Sequence, residues 1–268
     1  EGQRALANNS VAYKTKPEMG TFMREWLSLY DSKSGERGIF NRQSAIKQAA
    51  KNGRRDIEHD FGCNPCSEII LRPYQFCNLS EVVVRESDTV ETLKEKVRLA
   101  TILGTFQATL TNFKYLRSVW KKNTEEERLL GVSLTGIMDN KITSSAGGTL
   151  ETALELLRAI AVETNKAMAK QLDIPQSTAV TCVKPSGTVS QLTDAASGIH
   201  ARHNPFYIRT VRGDNKDPLT QFLMSQGIPA EPDVMKPDST TVFSFPMKSP
   251  MGAITRTQMN AIEQLELW

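Results

Sequence analysis

The run Thr178-Ala-Val-Thr-Cys-Val183, continued by Lys184-Pro-Ser-Gly-Thr-Val-Ser190, decides the fold class. A short apolar stretch ended by Pro and Gly reads as a strand leading into a loop, and that is where an α/β protein presents a loop and helix N-terminus to a ligand. Small hydroxyl residues and Gly187 leave backbone N–H groups accessible, and a helix starting there attracts phosphate through its free donors and dipole. The stretch lacks the glycine and lysine order of a P-loop, so a plain turn with an N-cap is the competing reading. Upstream, Thr149 to Leu172 reads as a helix, Thr124-Glu-Glu-Glu127 opens another with capping-box spacing, and Thr89 to about Asn112 makes a third. Ile69 to Val84 reads as strand or extended segments framing a turn around Pro73 and Asn78. Downstream, Pro205 to Arg212 and Thr240 to Pro246 read as strands around a helix from about Asp217 to Gln226. At the start, helices at Met19 to Tyr30 and Ser44 to Asn52 enclose a loop, Asp31 to Gly38. Helices alternate with short apolar strands, so the class is α/β with a largely parallel sheet or barrel.

The chain has 268 residues, 39% hydrophobic and 24% charged, with 33 basic and 30 acidic residues and a net charge of +3. That balance, without a Lys/Arg block, gives no sign of a nucleic-acid surface. No apolar run approaches the roughly 20 residues that span a bilayer, and the N-terminus lacks a signal-peptide pattern, so the expectation is a cytoplasmic protein with no membrane partner. It begins at Glu1 without Met and stops at Trp268 after a helix-like stretch, Arg256 to Leu267. Residues 1–268 therefore read as one partial domain cut from a longer chain.

Of four cysteines, Cys63, Cys66 and Cys77 cluster and Cys182 stands apart. Asn64-Pro-Cys-Ser-Glu68 places an amide and a carboxylate two residues either side of Cys66, which supplies a sulfur nucleophile or radical carrier, a hydrogen-bonding group and a potential base. An extended 64–68 segment sends Asn64, Cys66 and Glu68 to one face. His59, Cys63, Cys66 and Cys77 equally form a candidate zinc set around a Cys-x2-Cys pair, as in a zinc-stabilised binding module. A thiol site, zinc and unrelated buried cysteines all stay open on spacing alone. His200 and His203, with Pro205 close behind, read as loop packing or binding residues rather than a metal pair.

Asn64-Pro-Cys-Ser-Glu68, Phe76-Cys-Asn-Leu79 and Pro185-Ser-Gly-Thr188 together resemble the large catalytic chain of ribonucleotide reductases. The eleven-residue step from Cys66 to Cys77 and the Pro-Ser-Gly-Thr loop look like the monomeric, adenosylcobalamin-dependent class II branch. Ser197-Gly-Ile-His200, Tyr207-Ile-Arg-Thr-Val-Arg212 and Val242-Phe-Ser-Phe-Pro246 are similar to that branch as well, so the resemblance runs over nearly the whole chain. It implies part of a ten-stranded α/β barrel with a central finger loop bearing Cys66. It further implies a thiyl radical on Cys66, Glu68 as base, Asn64 on the ribose hydroxyls, and Cys77 as one of two reducing thiols. Pro185, Ser186, Gly187 and Thr188 would hold the substrate phosphates. The implied reaction is reduction of ribonucleoside triphosphates, or diphosphates, to 2′-deoxyribonucleotides for DNA synthesis. Adenosylcobalamin, a thioredoxin-like reductant and a deoxynucleotide effector are the implied cofactor and partners of a monomer. A class I or dimeric class II large subunit is the rival within the family. The resemblance gives Cys63 no role, and no cysteine precedes Cys63 to serve as the second reducing thiol.

Overall fold

The computed structural model describes residues 10–33, 38–51 and 53–268. Residues 34–37 of the expected 31–38 loop lie outside that set. A parallel pair formed by β5 (Asn78–Val83) and β6 (Leu130–Thr135) is the centre of the fold, in register from Asn78 opposite Leu130 to Val83 opposite Thr135. The 178–182 run joins it as a strand-like segment through a single parallel bridge. Leu130 N donates to Ala179 O, Val132 N to Val180 O and Cys182 N to Val132 O, and Val132 bridges Thr181.

Two long helices, α3 (Val90–Gln107) and α5 (Gly148–Gln171), cover one face of this sheet. Val82, Leu130, Val132 and Val180 meet Leu93, Val97, Leu157 and Ala161 there, with Val84 and Ala108 alongside. Period-2 alternation in the strands and 3.6 periodicity in the helices put these residues on facing surfaces. Gly104 lets α3 come close: a Cβ there would sit 3.4 Å from Leu130 Cδ2. Buried Asn165 joins the layers, donating to Thr105 Oγ1 at 3.0 Å and Ser177 Oγ at 2.9 Å while accepting from Ser177 N at 3.0 Å. Thr89 caps α3 through a box with Thr92.

The remaining elements lie around this core. β1 (Ser10–Tyr13) pairs in parallel with β2 (Gly38–Asn41), beside α1 (Met19–Ser32) and α2 (Arg42–Ala50). β3 (Gly62–Cys63) and β4 (Ile70–Leu71) form an antiparallel hairpin. α4 (Ser118–Glu127) precedes β6, and the short α6 (Thr188–Leu192) follows the central sheet. β7 (Phe206–Asp214), β8 (Ala230–Pro232) and β9 (Thr240–Lys248) make a three-stranded sheet in the order β7-β9-β8, with α7 (Pro218–Ser225) between β7 and β8, and α8 (Ala261–Leu267) closes the chain.

The class is mixed α/β, as the periodicities predict, with two corrections. The downstream strands pair antiparallel, so among the described residues the parallel strand pairs are β5–β6 and β1–β2. Thr124 does not open a helix: α4 already starts at Ser118 and ends at Glu127, where Arg128 takes a left-handed φ of 46°. Thr124 is buried on its inner face, so the capping-box spacing was coincidental. No helix among the described residues is long and apolar enough to cross a membrane.

Candidate active site

The hairpin loop, the start of β5 and the loop after the 178–182 segment meet on the sheet face away from α3 and α5. Gly131 permits the meeting. A Cβ on it would lie 2.5 Å from Leu79 Cδ2, 3.0 Å from Ile69 Cδ1 and 3.1 Å from Cys182 Sγ, so its missing side chain is the space where strand, hairpin and 178–182 segment converge.

Residues 64–68 form a tight turn rather than an extended segment. Ser67 sits at φ 65°, Ser67 N donates to Asn64 O at 2.9 Å, and Asn64 N donates to Ile69 O at 3.3 Å. Asn64 closes the turn further, its Oδ1 accepting from Ile69 N at 3.0 Å. Cys63 Sγ donates across the loop to Ser67 Oγ at 3.5 Å, which gives this extra thiol a structural place. The expected alternation therefore fails: Cys66 is exposed at the tip whereas the Glu68 side chain is 1% exposed.

Lys184 Nζ donates to Glu68 Oε1 at 2.9 Å. Glu68 Oε2 is buried and has no hydrogen-bond partner among the described residues. Burial pushes the Glu68 carboxyl up, but the bond from Lys184 and the neighbouring Asn64 amide outweigh it and hold the group below its ordinary value. Cys66 also lies within electrostatic reach of Lys184.

Cys77 is half-buried just before β5, and burial together with the Glu68 charge raises its thiol. Cys182 is half-buried in the same field, pushed up to about 12 by burial, Glu68 and Cys77. Both are held as neutral S–H groups, which suits donors of hydrogen rather than thiolate nucleophiles.

The Pro185–Thr188 loop is built from below. Ser186 is buried and its Oγ donates to Glu81 Oε2 at 2.8 Å, while Ser197 Oγ donates to Ser186 O. Gly198, at φ 53°, lets the following segment pass close: a Cβ would meet Lys184 O at 2.8 Å and Ser186 N at 3.0 Å. Pro185, Gly187 and Thr188 remain exposed. Gly198 N donates to Thr135 Oγ1 at 2.9 Å, and His200 Nδ1 lies 2.9 Å from Ser197 O. His203 packs edge-on against Tyr207.

The hairpin is anchored by a buried ionic network at its base. Arg55 reaches both Glu127 oxygens, Nε to Oε1 at 2.8 Å and Nη2 to Oε2 at 2.7 Å, and donates to Ile70 O at 3.0 Å. Gln75 Nε2 donates to Glu127 Oε2 at 2.6 Å and Arg72 bonds Glu126 at 2.7 Å. His59 is engaged elsewhere, 3.2 Å from Asp56 and edge-on to Phe61, and among the described residues no three His, Cys, Asp or Glu side chains gather as a metal set. The zinc arrangement of His59, Cys63, Cys66 and Cys77 thus loses its geometry.

Sequence reasoning brought Asn64, Cys66, Glu68, Cys77 and Pro185–Thr188 to this place but left Lys184, Glu81, Cys182 and Gly131 without roles. Glu81 was accessible through alternation, since Cys77, Leu79 and Glu81 fall on one side of a strand. Cys182 was readable as the thiol two positions before Lys184.

No family model matches the chain. The adenosylcobalamin-dependent ribonucleoside-triphosphate reductase of Euglena gracilis is 30% identical over 240 residues, 87% of this chain and 32% of that protein. The enzyme of the same name from Lacticaseibacillus paracasei is 28% identical over 274 residues, 92% of this chain and 36% of its own length. A crystal structure of a B12-dependent, class II ribonucleotide reductase superposes with a TM-score of 0.64 at 24% identity, over 81% of this chain and 33% of the other. The chain thus spans about a third of the length of the adenosylcobalamin-dependent ribonucleoside-triphosphate reductases that it resembles, and over that span it shares the fold of the matching part of a class II ribonucleotide reductase.

Proposed function

We propose that the chain is the central active-site segment of an adenosylcobalamin-dependent ribonucleotide reductase that makes 2′-deoxyribonucleotides for DNA synthesis. One observation carries the reading: a buried carboxylate, Glu68, keeps one oxygen open beside an exposed thiol and two half-buried thiols, next to a loop that faces solvent. Residues 1–268 would form part of a single catalytic barrel of ten strands, with the β3–β4 hairpin as its finger loop. The intact protein would be a cytoplasmic monomer acting on ribonucleoside triphosphates in preference to diphosphates, recharged by a thioredoxin-like reductant and regulated by a deoxynucleotide effector.

Adenosylcobalamin supplies a radical when bound. Cys66 is the residue here that suits it, because its sulfur is open to an approaching group at the hairpin tip. As a thiyl radical, Cys66 takes the 3′-hydrogen of the ribose, forming its S–H as the C–H bond breaks. Glu68 Oε2 accepts the 3′-hydroxyl proton while that O–H electron pair stays on the sugar oxygen. Cys77 and a second thiol outside this segment supply the proton with which the 2′-hydroxyl leaves as water and a hydrogen atom to C2′; as they close to a disulfide their last electron passes to the sugar, Glu68 returns its proton to the 3′-oxygen, and Cys66 S–H returns its hydrogen to C3′, restoring the thiyl radical. Asn64, already fixed in the turn, orients the ribose hydroxyls. The exposed Gly187 and Thr188, with Pro185 and Ser186, meet the phosphates.

The test uses the intact reductase and 3′-tritiated nucleotide. Cys66→Ser should abolish both tritium release and product, whereas Cys77→Ser should keep tritium release and lose deoxynucleotide. Tritium release by Cys66→Ser sinks the radical assignment, and strict dependence on a metallo-radical partner subunit would place the protein in class I.

A further inference from the structure

Lys184 stands immediately before the phosphate-facing loop and is fastened to the carboxylate assigned as base. Its side chain is 20% exposed and reaches a partner that is 1% exposed across 116 residues of sequence. Glu68 has two oxygens in very different states: Oε1 accepts from Lys184, and Oε2 is buried with no partner among the described residues. A buried acceptor left open is costly unless a ligand donor completes it.

We propose that Lys184 is the positioning residue of the base, gripping one oxygen of Glu68 so that the other is the open acceptor for a ribose hydroxyl, and tying that acceptor to the 185–188 loop. This rests on the reductase reading and deepens it.

Two physical consequences follow. Without the ammonium, burial acts on Glu68 unopposed by that bond and favours the neutral acid, which cannot accept a proton. The groups around the pair are Asn64 and Cys66 on the hairpin, Cys77 and Glu81 on the β5 side, and Cys182 on the 178–182 segment. None of these carries a positive charge; Lys51, Arg54, Arg55 and Arg158 line a cavity that also reaches Glu68, but Arg55 is held by Glu127 and Arg54 donates to Ser177 O, and Lys184 is the cation bonded to the Glu68 carboxylate. When Glu68 takes the hydroxyl proton, Lys184 keeps its charge beside a neutral partner, and this imbalance drives the proton back off the carboxyl later in the cycle. The loop link makes phosphate engagement and base alignment one event, because Ser186, two residues on, is itself pinned by Glu81 and Ser197.

The experiment compares Lys184→Met and Lys184→Arg with wild type in the intact reductase that carries this segment. Lys184→Met should lower kcat at least about tenfold at neutral pH, with KM for the nucleotide changed less than about threefold. Its acidic limb should move up by a pH unit or more, so that activity partly returns at high pH; each unit corresponds to tenfold in the ionised fraction. Lys184→Arg should restore the limb toward wild type. An unmoved limb in a folded Lys184→Met protein, or a rise in KM alone, overturns the proposal, the latter making Lys184 a simple phosphate ligand. Infrared titration of the Glu68 carboxyl, assigned with Glu68→Gln, supplies an activity-free reading in Lys184→Arg and Lys184→Met alike. A carboxyl that titrates higher in Lys184→Met supports the grip even if the parent reduces no ribonucleotide, a result that would sink the reductase reading alone. If Lys184→Met fails to fold, Lys184→Gln takes its place in both measurements with the same outcomes.

Discussion

At the residue scale the site separates its thiols by environment. Cys66 is exposed, whereas Cys77 and Cys182 are half-buried and raised by burial and the Glu68 charge. Alkylation proceeds through the thiolate, so iodoacetamide at neutral pH should label Cys66 first and leave Cys182 unlabelled until the protein unfolds. Mass spectrometry of the labelled peptides reads this directly; equal labelling of Cys66 and Cys182 in folded protein would contradict the burial. The linkage has a definite sign. The Cys182 thiol is raised from an ordinary value of 9.0 to about 12, so its contribution to stability is complete below pH 9 and declines as the pH climbs toward 12. Gly131 is the other decisive residue. Gly131→Val inserts a side chain where Leu79, Ile69 and Cys182 already converge, and overpacking of this kind costs about 1–3 kcal/mol. Activity should fall further than stability, because relief comes from moving Ile69 and with it Glu68. Thermal melts set beside turnover would show it, and parallel losses would argue against a role for the packing in alignment. The sequence made the reactive types at Cys66, Glu68 and Cys77 legible through spacing. It hid the grip of Lys184 on Glu68, since a contact across 116 residues leaves no local pattern.

At the element scale the hairpin owes its placement to α4. Glu127, 1% exposed at the end of that helix, holds Arg55 and Gln75, and Arg55 in turn holds Ile70 O at the hairpin's return strand. Removing one member leaves a buried charge unmatched, so Glu127→Ala should destabilise by about 3–5 kcal/mol, and chemical denaturation measures it. Burial pushes the Glu127 carboxyl up, and the bonds from Arg55 and Gln75 and the charges of Arg55 and Arg72 more than offset it, leaving the group below its ordinary 4.5. Its stabilisation is therefore present above pH 4.5 and lost as pH falls below it; in Glu127→Gln that acid-sensitive component should shrink, and an unchanged acid profile would refute the account. Helix periods located α1 and α5 to within two residues, whereas the α3 reading overran its end, Gln107, to about Asn112. The start of α4 was missed because Arg117 provides no side-chain cap, while Thr124 and Glu127 mimic a start at what is the helix's end. The one-face alignment that an extended 64–68 segment would give is absent, because Ser67 takes a left-handed conformation that no glycine or asparagine signals in the sequence.

At the scale of the whole molecule, two sheets are joined by a narrow buried link. Arg202 binds Asp139 through Nε and Nη2 at 2.8 and 2.9 Å, and reaches the Asp194 carboxylate at 2.8 Å and carbonyl at 2.9 Å. Asp139 follows β6 and also accepts from Ala196 N at 2.8 Å, so one carboxylate fastens the end of the central sheet to the segment beneath the 185–188 loop. On the other side, Arg202 N donates to Ile254 O at 2.9 Å and Arg256 N to Arg202 O at 2.8 Å, which ties in the chain leaving the β7-β9-β8 sheet. That antiparallel sheet shares none of the apolar cluster under β5 and β6. Its docking thus leans on charge and backbone bonds rather than on a common core, and the order of opening follows. Amides of β5, β6, α3 and α5 should be the last to exchange with deuterium, and those of β7 and β9 should exchange earlier. Arg202→Met leaves Asp139 buried without its cation. Exchange in residues 194–200 and 206–248 should quicken at least about tenfold while β5 and β6 keep their protection, a difference of about 1.4 kcal/mol in local opening. Uniform loss of protection across both sheets would mean that they unfold as one unit and that the link is not where the molecule divides.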